Sequence, residues 1–437
     1  MQPSFNKNKA ILSLLPLLTF VAIFLGSGLY LQSQGVDYAF YQLPAPVAIL
    51  PAIILAFILN KTSINQSVET FIKGVGNNNI ITMCLIYLLA GAFSAVAGAT
   101  GGVDAVVNAG LSIIPPSLLL PGLFLIAAVI STAMGTSMGT IGAIGPIAYA
   151  VSVKTGIDPA LMAGTIVSGA MFGDNLSIIS DTTIAATRTQ GCEMKDKFKE
   201  NLKIAIPAAI VTIALLLYLT PAAQVVETKD YDILLVLPYA FILVLAVMGF
   251  NVFVVLLSGI VFAALMGFTG SYEGASFVKD IYKGFTDMQE IFLLSMFIGG
   301  LSEFIRLNGG LDYIAQKIQA ITKVIAKWHR KVADQLGIAA LVMASNMCIA
   351  NNTVSIIVTG PIAKKLADDG NITGKRSASL LDIFACVTQG TLPYGAQALL
   401  LGATFKISPW EVSTSSYYCF ILAFSAIAVI CLRRNKA

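Results

Sequence analysis

The sequence predicts an all-α polytopic membrane protein. It is read as two inverted-topology repeats of five crossings, each with a re-entrant hairpin and a broken helix. Three observations carry that prediction. Hydrophobic residues make up 57% of the 437 positions and charged residues 11%, against roughly 45–50% and about 25% in a soluble domain; mean hydropathy is +0.82. The apolar stretches run for about 20 residues, the length of a crossing helix, rather than alternating in the segments of about 10 that build a membrane barrel. Finally, three short motifs recur in the same order. Phe71-Ile72-Lys73-Gly74-Val75 resembles Ile281-Tyr282-Lys283-Gly284-Phe285, Gly101-Gly102-Val103-Asp104 resembles Gly309-Gly310-Leu311-Asp312, and Gly145-Pro146-Ile147-Ala148 returns unchanged at 360–363. The offsets drift through 210, 208 and 215, as they do in diverged repeats.

Taken along the chain, continuous apolar spans fall near 10–31, 44–60, 79–99, 201–220, 231–249, 251–268, 289–306 and 411–432. The first is too long for a signal peptide and lacks a small-residue cleavage site, so it is read as a membrane helix. Regions 118–187 and 336–404 are apolar but repeatedly interrupted by Gly, Asn, Thr, Ser and Pro. Irregular backbone at membrane depth is tolerated only where protein or a water-filled cavity surrounds it. These regions are therefore read as hairpins at 118–151 and 336–366, followed by broken crossings at 160–187 and 377–404. The repeats are bounded at 1–230 and 231–437. An odd number of crossings per repeat inverts the second half, and inverted repeats with broken helices are a signature of secondary transporters.

Charge tests that topology independently. With both termini in the cytoplasm, 22 Lys and Arg fall in inner segments, and five (Lys154, Lys229, Lys279, Lys283 and Lys406) fall in outer ones. This is the asymmetry the positive-inside rule requires. Segment 311–333 is basic and amphipathic and is expected along the inner membrane surface. Lys197 is counted among the inner-surface lysines.

The chemistry concentrates at the interruptions. Gly173-Asp174-Asn175-Leu176-Ser177-Ile178-Ile179-Ser180-Asp181-Thr182-Thr183 places two carboxylates, an amide and four hydroxyls in apolar surroundings. A carboxylate at a helix centre costs roughly 2.5–3.5 kcal/mol on insertion scales, which implies a compensating function or partner. Hard oxygen ligands of this kind suit an alkali cation, and a broken helix adds free carbonyls and helix-end dipoles. The alternative is a polar loop at the membrane surface. In the second half, Asp382 precedes the break Thr388-Gln389-Gly390-Thr391-Leu392-Pro393-Tyr394-Gly395 by two turns. It is either a titrating group or the partner of a lysine. The hairpin tips carry Thr136 and Ser137 in the first half, and Asn351, Asn352 and Thr353 in the second. They are read as ion- or substrate-coordinating groups or, alternatively, as helix-packing positions. Asp104 and Asp312 are expected to cap the segments they open, and Glu303 to pair with Arg306.

Several classes are excluded. Gly135-Thr136-Ser137-Met138-Gly139 fits a nucleophile elbow, but that motif needs a strand and a histidine partner. The only histidine, His329, lies in a basic surface segment. No P-loop, dinucleotide fingerprint or paired-cysteine metal motif occurs. The chain is read as a non-enzyme without cofactor, whose partners are the lipid bilayer and small ions or a small organic solute rather than nucleic acid.

The 173–183 segment resembles the signature of the NhaC-type sodium/proton antiporters. Gly173, Asp174, Ser177, Ser180, Asp181, Thr182 and Thr183 match, with Ile178 where that family usually has Pro. The Asn352-Thr353 tip is similar to those of the broader ion-transporter superfamily, whereas the Thr136-Ser137 tip departs from them. The resemblance implies cation-driven secondary transport across a bacterial inner membrane by homodimers working through an elevator motion. Two transport readings follow. In a sodium/proton antiporter, Asp174 ligates sodium with Asn175, Ser177, Thr136 and Ser137, while Asp181 and Asp382 are candidates for proton exchange. In a sodium-coupled symporter of an amino acid or organic acid, Asn351, Asn352, Thr353, Gln389 and Thr391 face the substrate or a second ion. A channel is the third reading, and broken inverted repeats argue against it.

Overall fold

The computed structural model describes residues 7–36, 39–113, 115–178, 180–220, 230–270 and 272–432. Lys229, Arg433, Arg434 and Lys436 of the charge count lie outside them, as do the side chains of Lys327 and His329. Among the described residues every regular element is a helix.

The two halves carry the same order of elements. Leu15–Ser33 and Leu50–Leu59 lead into the amphipathic Ile64–Val75 and the long Asn78–Ala99. Ile233–Val247 and Val252–Phe268 lead likewise into Gly274–Asp287 and Gln289–Leu307. The amphipathic helices were not foreseen, because they are too polar to register as spans. They are held by backbone-to-backbone crossings between the halves. A Cβ on Gly74 would lie 2.3 Å from the Gly299 carbonyl oxygen, and one on Gly91 would lie 2.3 Å from that of Gly284. Asp104 sits in the first turn of Gly102–Ile113 and Asp312 in the first turn of Gly310–Ile349. Asp312 is not the cap expected of it: Gly309 is the N-cap, with no side-chain hydrogen bond, and the carboxylate complements the helix dipole from within the first turn. Glu303 accepts from Arg306 Nε and Nη2, both at 2.7 Å.

Pairs of helices occupy the stretches read as hairpins and breaks. Leu119–Met134 and Ser137–Thr155 are the arms of the first hairpin; Pro159–Leu176 and Asp181–Gln190 are the pieces of the first broken helix. In the second half, Asn352–Asp369 returns from the hairpin, and Gly374–Thr391 and Ala396–Phe405 form the broken helix. The first arm of the second hairpin belongs to the forty-residue element Gly310–Ile349. That element is not a straight rod. Thr322 Oγ1 lies 2.5 Å from where a Cβ on Gly337 would stand, whereas fifteen residues of straight helix span about 22 Å. The chain folds back between these residues, so the basic segment is set off from the crossing arm Arg330–Ile349.

The broken helices make up the centre of the molecule. From Arg376 to Gly390 every residue is buried, and so are most from Met162 to Leu176. A helix buried on all sides is apolar all round or carries polar groups with a task. Ile54, Ile58, Val261, Leu265 and Phe424 form part of the exposed apolar surface that a bilayer would cover.

Candidate cation site

The first break is local in origin. Pro159–Leu176 ends at Ser177, whose backbone is extended (φ −70°, ψ 133°), and the chain re-enters helix at Asp181 behind Ser180, which caps it. Glycines set the depth of the first piece. A Cβ on Gly169 or Gly173 would lie 2.4 Å from the carbonyl oxygen of Phe124 or Ala128 in the first hairpin arm. This contact draws Asp174, in the last turn before the break, against the hairpin tip.

At that tip Gly135 takes the left-handed conformation (φ 69°), and the extended Thr136 caps Ser137–Thr155. Ser137, at the first helical position, donates to Asp174 Oδ2 at 3.1 Å, and Ser180 donates to Oδ1 at 2.5 Å. Asp174 is 3% exposed. Each of its oxygens therefore accepts one charge-assisted hydrogen bond and keeps a free lone pair.

The second half repeats this geometry with different side chains. Ala350 is left-handed (φ 53°), and the extended Asn351 caps Asn352–Asp369 by accepting from the Val354 amide at 3.0 Å. Gln389 lies two residues before the end of Gly374–Thr391, as Asp174 lies two residues before the end of Pro159–Leu176. The counterpart of Asp174 is thus Gln389, 215 positions on, and not Asp382, the acid that precedes the second break.

The two tips and two breaks enclose one cavity of about 90 Å³. Thr136, Ser137, Asp174 and Asp181 line it from the first half; Asn351, Asn352, Thr353 and Gln389 line it from the second. Asp174 is buried in it, whereas Asp181 is exposed at its edge. A water molecule's share of liquid is about 30 Å³, so the volume suits a small ion with one or two waters. The described lining contains no Lys, Arg or His.

Asn175, Ser177, Thr391 and Asp382 do not line this cavity. The Asn175 carbonyl, freed by the break, accepts from Lys197 Nζ at 3.2 Å and from Asn201 Nδ2 at 2.8 Å. A cation there complements the negative end of the helix. Lys197 also pairs with Asp382 Oδ2 at 2.7 Å, with side chains 1% and 0% exposed, and donates to Thr183 Oγ1 at 2.7 Å. Lys197 is therefore no solvated surface lysine. A carboxylate buried at the centre needs a counter-ion, and among the described residues Lys197 is the one paired with it. Of the two readings of Asp382, the ion pair is the one observed. Thr391 donates back to the Val387 carbonyl of its own helix.

The sequence reading missed Gln397, Lys197, Asn201, Asn79 and Thr82. Gln397 had a signal, being the first polar residue after the Gly395 break. Asn79 and Thr82 reach the cavity from Asn78–Ala99, a helix read only as a span.

Comparison with known proteins bears on the family of the chain. The profile of the Na+/H+ antiporter family matches residues 8–220 and 223–432. The Na(+)/H(+) antiporter NhaC of Alkalihalophilus pseudofirmus is 24% identical over 78% of this chain and 80% of its own length. The malate-2H(+)/Na(+)-lactate antiporter of Bacillus subtilis is 25% identical over 94% of this chain and 93% of its own. The arginine/ornithine antiporter ArcD of Halobacterium salinarum is 24% identical over 98% and 91%. With nearly its whole length matched by the family profile, the chain belongs to the Na+/H+ antiporter family.

Proposed function

We propose that this chain exchanges sodium for protons across the membrane, with Asp174 as the group that both ions share. The observation that carries the reading is the placement of Asp174: the one buried carboxylate of a small cavity, with a serine hydroxyl on each oxygen and room for an ion. One carboxylate holds either a sodium ion or a proton, so loading one releases the other. Asp181, at the mouth, is a relay for the proton rather than a second site. Asp382, occupied by Lys197, is not an exchange group in this reading.

Two of the relatives are named for organic solutes. For this chain the symport reading is weaker, because the cavity is small and offers no cationic side chain to a substrate carboxylate.

Alternating access is supported by a second cavity of about 710 Å³. It touches Gly91, Ser94, Ala95 and Gly98 of the same Asn78–Ala99 helix whose Asn79, Thr82, Met83 and Ile86 face the ion cavity. Between the two, Ile86 and Ala90 pack against Gly142 of the first hairpin. Inverted repeats with the hairpins and broken helices as a mobile unit would let that unit slide along this face. The two tips of equal geometry and the profile boundary near 220 support such a repeat. With both termini cytoplasmic, the ion cavity would open inward and the larger one outward. The homodimer that the resemblance implies belongs to the same reading, and a monomer mass by light scattering in detergent would remove it.

The test uses acid-loaded proteoliposomes containing the purified protein and no organic solute. Added sodium should collapse the pH gradient, and Asp174→Asn should reduce the rate to background. Asp104→Asn, remote from the cavity, should keep more than about half of it. A wild-type protein that moves protons only when an amino or organic acid is supplied would overturn antiport.

A further inference from the structure

The hydrogen bonds that link the two halves at the cavity run in one direction, and their direction is set by a single backbone atom. Ala350 is one of three described non-glycine residues at positive φ. Left-handed backbone is unfavourable for alanine. Here it ends the helical arm and turns the Ala350 carbonyl toward the second broken helix, where Gln389 Nε2 donates to it at 3.3 Å. A carbonyl oxygen only accepts, so the end of the Gln389 amide that faces it is the nitrogen. The same nitrogen donates to Gln397 Oε1 at 2.9 Å. That leaves Gln397 Nε2 to donate to Ser137 Oγ at 3.2 Å, and the Ser137 hydrogen to go to Asp174 Oδ2. Each donor in the chain thus points toward Asp174.

One consequence concerns the other end of the Gln389 amide. With both hydrogens of Nε2 committed, Oε1 cannot exchange places with it. Oε1 is a buried acceptor without a partner, on a side chain that is 2% exposed and lines the cavity with Asp174. An unmatched buried acceptor is costly unless a donor or a cation completes it.

We propose that Gln389 Oε1 is a ligand of the transported alkali cation, facing the Asp174 carboxylate across one shared site, and that Gln397 is the positioning residue that holds it there. This assignment rests on the reading of Asp174 as the exchange carboxylate. It also gives the amide a specific role: it contributes an oxygen without a charge. The site then carries one negative charge, matched to one monovalent ion or one proton. A second carboxylate at position 389 would change that balance.

The experiment is sodium titration of the purified full-length protein in detergent by calorimetry. Choline holds ionic strength constant, proton release is followed in parallel, and the series is repeated from pH 6 to 9. Gln389→Ala should weaken sodium binding about tenfold or more, with one proton still released at saturation. Gln389→Glu keeps the oxygen and adds a charge. It should bind sodium at high pH, and its affinity should fall more steeply with decreasing pH than that of the wild type, because more than one proton must leave. Gln397→Leu should weaken sodium binding with the wild-type pH slope. Wild-type sodium affinity in Gln389→Ala, or a wild-type slope in Gln389→Glu, overturns the ligand assignment and leaves antiport standing. If Gln389→Ala does not purify as a single species, the near-isosteric Gln389→Glu decides alone. A wild-type protein that binds sodium without releasing a proton overturns antiport and this assignment together.

Discussion

Lys197 shows how much a single buried side chain organises. It joins three pieces of chain: Asp382 in the second broken helix, the Asn175 carbonyl at the end of the first, and Thr183 beyond the break. Asn201, one turn on, repeats two of these contacts. Removing one partner of such a pair strands the other charge in a low-dielectric interior, at about 3–5 kcal/mol. Lys197→Met should therefore lower the thermal midpoint in detergent markedly. Adding Asp382→Leu should recover a large part of it, since apolar replacement of a whole buried pair is often close to neutral. A double variant no more stable than Lys197→Met would show that the pair is not what holds these helices. The sequence displayed both residues, but Lys197 stands in a run of lysines and acids that reads as a solvated surface. Only the path of Met194–Leu219 brings it inward, against the break.

At the scale of elements, the glycine crossings explain a motif that sequence comparison noticed without assigning it a task. Gly74 and Gly284 are the matched glycines of the 71–75 and 281–285 motifs. Each packs on a glycine of a long helix from the opposite half, Gly299 and Gly91. Crossing at backbone contact leaves no space for a methyl group. Gly74→Ala and Gly284→Ala should each lower stability by about 1–3 kcal/mol, the usual cost of overpacking. Gly98→Ala and Gly122→Ala, with nothing within 4 Å of the added carbon, should be neutral or slightly stabilising through helix propensity. Thermal unfolding of the four variants side by side checks this, and equal losses at all four would refute the crossing argument. The amphipathic helices that carry Gly74 and Gly284 were missed for a related reason: hydropathy finds spans, whereas these helices are defined by what they cross.

For the whole molecule, orientation and alternating access are testable together. In a background free of the six native cysteines, a cysteine at Lys195, whose side chain is 70% exposed, should react with an impermeant reagent only from the cytoplasm. One at Lys283, 65% exposed, should react only from outside. A cysteine at Thr353, on the second hairpin tip, should react from both sides while the protein turns over. Labelling of Lys195 from outside would reverse the proposed topology. Thr353 reactivity confined to one side under turnover would remove the sliding motion.

The sequence by itself determined that the chain is a helical membrane protein. It marked the polar interruptions at which the helices end, and it singled out the 173–183 segment. Each is a local property: hydropathy over a window, helix-breaking residues within it, and polar groups too costly to bury without use. It did not determine which of those groups meet. Gln389 shares a cavity with Asp174, and Gln397 links Gln389 to Ser137, only because two hairpin tips from distant parts of the chain close on one cavity. Asp382 turns away from that cavity to Lys197, and Asn175 contributes its carbonyl to the same lysine rather than its side chain to the cavity. Partners of a buried polar group are chosen by proximity in three dimensions, over separations here of 22 to 260 residues. No local pattern reports that distance, so the tertiary fold alone decides it.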